Sequence, residues 1–129
     1  MCGIAGMIGL SAGDTTVNKM LGSMSHRGPD AASSYRTPEA TLLHSRLAII
    51  DPEGGRQPMT LLWGGETYVL VYNGELYNTE ELRYALIKAG HSFVGHSDTE
   101  VVLHSFAQWK EEALKTLYLN IVKELVKLI

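Results

Sequence analysis

The chain has 129 residues, a formal net charge of −3, 45% hydrophobic residues and 19% charged residues. That length suits one modest domain with its own core, and a mildly acidic balance with scattered basic residues argues against a nucleic-acid-binding surface. The single cysteine excludes an internal disulfide framework and any Cys-x-x-Cys metal site, which points to a reducing compartment.

The chain opens Met1-Cys2-Gly3. If Met1 is removed, Cys2 carries both a thiol and a free α-amine. An unperturbed α-amine titrates near ~7.7–8.0, so it can take the thiol proton and activate the sulfur as a nucleophile. Residues 2–10 are apolar and glycine-rich, as in a buried strand. They carry no basic n-region of a signal peptide. Val17, Met20, Leu21 and Met24 keep helical spacing, with Asp14 or Thr15 as caps, which predicts a helix over residues 15–25. His26-Arg27-Gly28-Pro29-Asp30 is a loop by its Gly-Pro pair.

Residues 41–50 read as a strand closed by the turn at 51–55. Leu61–Trp63 and Glu66–Tyr72 read as a hairpin around Gly64-Gly65, and Asn73-Gly74 ends its second strand. A helix follows from Thr79, capped by Asn78 with Glu81 three residues on, and stopped by Gly90. Ser97 and Glu100 repeat the capping-box spacing before a helix with Val102, Leu103, Phe106 and Trp109 on its apolar face. Leu114, Leu117, Tyr118, Ile121, Val122 and Leu125 then form one wide helical stripe. Lys115, Lys123, Glu124 and Lys127 make this last segment too charged to span a bilayer. The expectation is a soluble cytoplasmic protein without membrane or nucleic-acid partners. The five histidines (His26, His44, His91, His96 and His104) have no accompanying cysteine pair, and no metal site is expected.

Four segments stand out beside Cys2: His26-Arg27-Gly28-Pro29-Asp30, Ser45-Arg46-Leu47-Ala48-Ile49-Ile50-Asp51, Tyr72-Asn73-Gly74-Glu75-Leu76-Tyr77-Asn78, and Ser97-Asp98-Thr99-Glu100. In this order after Met-Cys-Gly-Ile, the set closely resembles the glutaminase domain of asparagine synthetase. That domain is a class II glutamine amidotransferase, within the N-terminal-nucleophile hydrolases. The resemblance covers residues 1 to about 109. It implies an α+β fold in which two antiparallel sheets are sandwiched between helix layers.

The resemblance further implies hydrolysis of L-glutamine to glutamate and ammonia through a thioester on Cys2, with the α-amine as base. Asn73 and the backbone N–H of Gly74 would stabilise the tetrahedral oxyanion. Arg46 would bind the α-carboxylate of glutamine and Asp98 its α-ammonium. Leu47, Ala48, Ile49, Ile50 and Glu75 would line the rest of the pocket. Arg27 is read as a structural loop residue. Singly, Asn73-Gly74 is also a simple turn signal, Arg46 an exposed strand residue and Asp98 part of a helix cap.

The family pattern continues past residue 109 with strands that complete the sandwich. Here residues 110–129 read instead as an amphipathic helical tail, so the domain is expected to be incomplete at its C-terminal end, with exposed sheet edges. No Ser-Gly-Gly-x-Asp loop for ATP is present. No cofactor is expected in this chain, ATP and Mg belonging to a synthetase domain that it lacks. The expected partners are L-glutamine and a synthetase domain or chain, or a second copy. The alternative is a non-catalytic glutamine- or partner-binding fragment.

Overall fold

A computed structural model describes residues 2–47 and 54–117 and the backbone of 119–120. Its organising strand is β3 (Ala40–Arg46), in which all seven residues are buried. It lies between β1 (Gly3–Ile8) and β2 (Ala31–Thr37), antiparallel to both. Gly3 faces Ser45 across one edge and Ala31 faces Arg46 across the other. Because side chains alternate between faces, β3 serves two layers. Leu43 packs with Ala5, Met7 and the apolar stripe of α1 (Asp14–Met24), namely Val17, Met20, Leu21 and Met24. Leu42 points the other way, with Ile4 and Tyr35, onto Val69 and Val71.

The second hairpin joins β4 (Met59–Trp63) to β5 (Glu66–Leu70), with Met59 opposite Leu70. Gly64 and Gly65 turn it at φ 59° and 81°, a left-handed backbone open to glycine. While Val69 and Val71 face the first sheet, Tyr68, Leu70 and Tyr72 face α2 (Thr79–Lys88) and α3 (Asp98–Trp109) through Leu82, Leu86, Val102, Leu103 and Phe106. The layers therefore run helix, sheet, sheet, helix, the architecture that the resemblance implies. No helix of the described residues is long and apolar enough to cross a membrane.

Several local expectations are corrected. Residues 31–37 carry no clear strand signal, yet form β2 because the edge of β3 needs a partner. Neither Asp14 nor Thr15 caps α1: its N-cap is Gly13, and Asp14 pairs with Arg36 at 2.7 Å. Asn78 makes no capping bond to α2; its amide instead donates to the Thr116 carbonyl at 2.8 Å. At α3, Ser97 does accept from the Glu100 N–H, but the Glu100 carboxylate accepts from the N–H groups of Val94 and Gly95 rather than returning to Ser97.

The expected tail helix is also different where it is described. Residues Lys110–Lys115 form a 3-10 helix, with Ala113 and Leu117 in the core and Leu114 exposed. The chain then forms β7 (Leu119–Asn120), antiparallel to β6 (Glu75–Leu76). The remaining positions of the stripe, Tyr118, Ile121, Val122 and Leu125, lie outside the described residues.

Two buried histidines give the fold a pH signature. Desolvation foremost lowers His44 to about 4, with the Arg46 charge adding to it, and lowers His104 to about 4, with the charge of His91 adding to it. In an unfolded chain both titrate near ~6.5. Between these values the unfolded state binds protons that the folded state refuses. The stability they contribute is complete above ~6.5 and is lost as pH falls toward 4. Asp98, whose carboxyl is raised by burial, acts with the opposite sign and softens only the acidic end. Urea midpoints are expected to fall steadily between pH 7 and pH 5; a constant midpoint would mean that these rings titrate normally in the fold.

Candidate functional site

The C-terminal end of β3 builds one wall. Gly28 lies so close to it that a Cβ there would stand 2.3 Å from the Ser45 carbonyl carbon and oxygen and 2.4 Å from the Arg46 nitrogen. The Ser45 hydroxyl donates to the Gly28 carbonyl at 2.7 Å and lies 3.1 Å from the Met24 carbonyl, and the Asp30 N–H donates to the Arg46 carbonyl at 3.0 Å. So seated, the loop presents Arg27, whose Nε donates to the Cys2 carbonyl at 3.1 Å. The thiol is half-buried; its Sγ accepts the Leu47 N–H at 3.4 Å and lies 3.8 Å from the Leu47 carbonyl. The contact of Arg27 is with the backbone of the cysteine itself.

The second wall follows β5. Tyr72 is buried, and its N–H donates to the side-chain oxygen of Gln57. Gly74 follows in a bend that packs against the Tyr72 ring: a Cβ there would meet its hydroxyl at 2.9 Å.

The third wall is the N-terminus of α3. The loop before it is held by Glu100, which accepts from Val94 and Gly95 at 2.7 and 2.9 Å, and by Arg83, which donates to the Gly95 carbonyl at 3.1 Å. Ser97 donates to the Gly54 carbonyl at 3.0 Å. Asp98, at the first helical position, accepts the Leu76 N–H at 3.2 Å. Burial raises its carboxyl above the ordinary range, against the pull of the backbone N–H groups of Leu76, Thr99 and Asp98 itself, and the nearby Glu75 charge pushes it further up.

These walls enclose a cleft of about 420 Å³, within the small-molecule range of roughly 300–1,000 Å³. Cys2, Arg46, Leu47, Asn73, Gly74, Glu75 and Asp98 all line it. Ala48, Ile49 and Ile50, also predicted for the pocket, lie outside the described residues. The cleft presents a thiol, a buried guanidinium and a carboxylate, which together can take a zwitterionic ligand and attack its electrophilic carbon. Among the described residues no group of three or more His, Cys, Asp or Glu side chains could hold a metal ion.

Among the lining residues that the sequence reading did not assign to the pocket are His44, Gln57 and Thr99. His44 carried a usable signal: it shares a strand face with Arg46 by period two, and it also borders a second cavity of about 400 Å³ beside Asp30 and Arg56. Gln57 and Thr99 carried none, one lying in an irregular segment before Pro58 and the other inside a capping pattern.

A family model described as a glutamine amidotransferase domain matches residues 1–118. Asparagine synthetase [glutamine-hydrolyzing] 3 of Bacillus subtilis is 45% identical over 121 residues, which is 91% of this chain and 20% of that protein. A probable asparagine synthetase [glutamine-hydrolyzing] of Dictyostelium discoideum is 41% identical over 82% of this chain and 20% of its own length. Asparagine synthetase [glutamine-hydrolyzing] 1 of Arabidopsis thaliana is 40% identical over 84% and 19%. The chain therefore spans about a fifth of the length of the curated relatives it matches.

The close seat of Gly28 makes a contrast of two glycines informative. Gly28→Ala forces backbone movement under the site and is expected to cost about 1–3 kcal/mol. Gly22→Ala, in α1 with open space around it, is expected to stabilise by about 0.5–1 kcal/mol. Thermal melts of the two variants beside the parent check the opposite signs.

Proposed function

The chain belongs to the glutamine amidotransferase domain family, and from that premise we propose that it is a glutaminase of asparagine synthetase type, hydrolysing L-glutamine to glutamate and ammonia through Cys2. One observation carries this reading. Cys2, Arg46, Asn73, Gly74 and Asp98, from distant parts of the sequence, line a single cleft sized for a small molecule.

The chemistry follows from the residue types. With Met1 removed, the α-amine of Cys2 takes the thiol proton, and the thiolate attacks the carboxamide carbon of glutamine. A C–S bond forms, and the carbonyl oxygen becomes an oxyanion that accepts from the Asn73 amide and the Gly74 N–H. As the oxyanion collapses, the C–N bond breaks, the α-ammonium returns its proton to the leaving nitrogen, and ammonia departs. The α-amine then takes a proton from a water that attacks the thioester carbon, the C–S bond breaks, and that proton passes to the Cys2 sulfur as glutamate leaves. Arg46 holds the α-carboxylate as a charge-assisted pair, and Asp98 holds the α-ammonium, with Leu47 and Glu75 along the walls. Burial disfavours the Asp98 charge, and an incoming ammonium offsets that cost.

The ammonia acceptor lies on a synthetase domain or chain, which also holds ATP and Mg, and the protein works in the cytoplasm. If Met1 is retained, the amine base is missing and the cleft is a non-catalytic binding site; the intact mass of the purified chain separates the two states.

Cys2→Ala is expected to abolish ammonia release from glutamine, and Asn73→Ala to lower kcat by about 10²–10³. Since the Asp98 carboxyl is raised, KM for glutamine is expected to rise with acidification at a higher pH than an ordinary aspartate would require, while Asp98→Asn shows a higher KM with that pH dependence removed. Coupled glutamate detection across pH reads all three. Full activity in Cys2→Ala would refute the nucleophile assignment.

A further inference from the structure

We propose that Gln57 is a positioning residue that fixes the span between the Asn73-Gly74 bend and Asp98, and so sets the length of amino acid whose two ends the cleft holds at once. The inference rests on the glutaminase reading for the roles of those two ends. Its geometric basis stands apart from catalysis.

The ladder of the second hairpin stops at Leu70, opposite Met59. Tyr72, immediately before the bend, lies beyond the paired strand. Its N–H is held by the Gln57 Oε1 instead. The Nε2 of the same amide donates to the Thr99 hydroxyl at 3.3 Å, and Thr99 directly follows Asp98 in the first turn of α3. The Gln57 carbonyl accepts from the Ser33 hydroxyl on β2, which anchors the bridge in the first sheet. Gln57 is only 9% exposed. One buried amide thus connects the end that would stabilise the oxyanion to the end that would bind the ammonium.

An amide suits this place because it accepts from an N–H and donates to a hydroxyl at the same time. A second tie, from the Leu76 N–H to Asp98, occupies the carboxylate that the substrate needs. The Gln57 bridge ties the same two segments through the Tyr72 N–H and the Thr99 hydroxyl, and takes up no Asp98 oxygen. Loosening it lets the bend and α3 drift separately, and a 1 Å misplacement can cost about 10²-fold.

The test uses Gln57→Met, Thr99→Val and the conservative Thr99→Ser in the full chain. The first readout is the ratio of kcat/KM for L-glutamine to kcat/KM for glutaric acid monoamide, which has the carboxamide but no α-ammonium. This ratio does not depend on how much of a variant is folded. It is expected to fall about tenfold in Gln57→Met and in Thr99→Val, to fall no further in the double variant, and to hold in Thr99→Ser. An unchanged ratio in both single variants overturns the inference. The second readout needs no activity: amide hydrogen exchange at Gly74 is expected to quicken about tenfold in Thr99→Val without change in β3. Unchanged exchange at Gly74 overturns the inference too. A parent chain that hydrolyses neither compound would instead refute the glutaminase reading, and exchange would still decide the role of Gln57.

Discussion

Everything in this molecule is placed relative to one strand buried on both faces and paired on both edges. A one-residue slip of β3 would exchange Leu42, His44 and Arg46 for Thr41, Leu43 and Ser45 on each face. It would turn a guanidinium into the α1 layer and remove the hydroxyl that fastens the 26–30 loop. The apolar pairs Leu42–Val69 and Leu43–Val17 each favour the observed register from opposite sides. The position of Arg46 is therefore a consequence of core packing three and four residues earlier. The Arg46 wall of the site thus inherits its register from the core.

The same economy governs the buried polar groups. His91 and His104 bring their Nδ1 atoms within 2.7 Å, and the His91 Nε2 lies 3.0 Å from the Gln108 Oε1. One of the two Nδ1 atoms donates and the other accepts, so the two rings and the Gln108 amide are tied in one chain of contacts. Trp63 stacks on His91 at 3.6 Å between ring centroids. Burial of the His104 ring in this cluster is the main reason for its low value. The cluster supports the loop before α3 from beneath, since Glu100, one turn before His104, clamps Val94 and Gly95.

Much of this was legible in the sequence, for a physical reason. Residues at strand ends and helix starts must be of particular types to bend, cap or bind, so Gly28, Asn73-Gly74 and Ser97-Asp98 announce themselves. Apolar periodicity likewise exposes α1, the β4–β5 hairpin and α3. What stayed hidden depends on partners remote in sequence. The Ala-Ala-Ser-Ser start of β2 has little strand preference of its own and is recruited by the edge of β3. Asn78 looks like a cap locally, but a carbonyl near residue 116 takes its amide. Gln57 has no local signature, because what distinguishes it is meeting Tyr72 and Thr99 at once. At Leu119–Asn120 the expected helix gives way for a related reason: β6 offers an edge, and backbone pairing outweighs helical periodicity there.

That last pairing has a consequence for the order in which the molecule is made. β6 carries Glu75 along one wall of the cleft, yet its partner strand is the last described element of the chain. A polypeptide leaving the ribosome from its N-terminus exposes Cys2 first and can assemble β1, β3 and the 26–30 loop early. It cannot finish the Glu75 wall until residues 119–120 have emerged. The thiol is therefore the oldest part of the cleft and the Glu75 wall the youngest. A protease cut just before Leu119 would reopen that wall while leaving the surroundings of Cys2 intact.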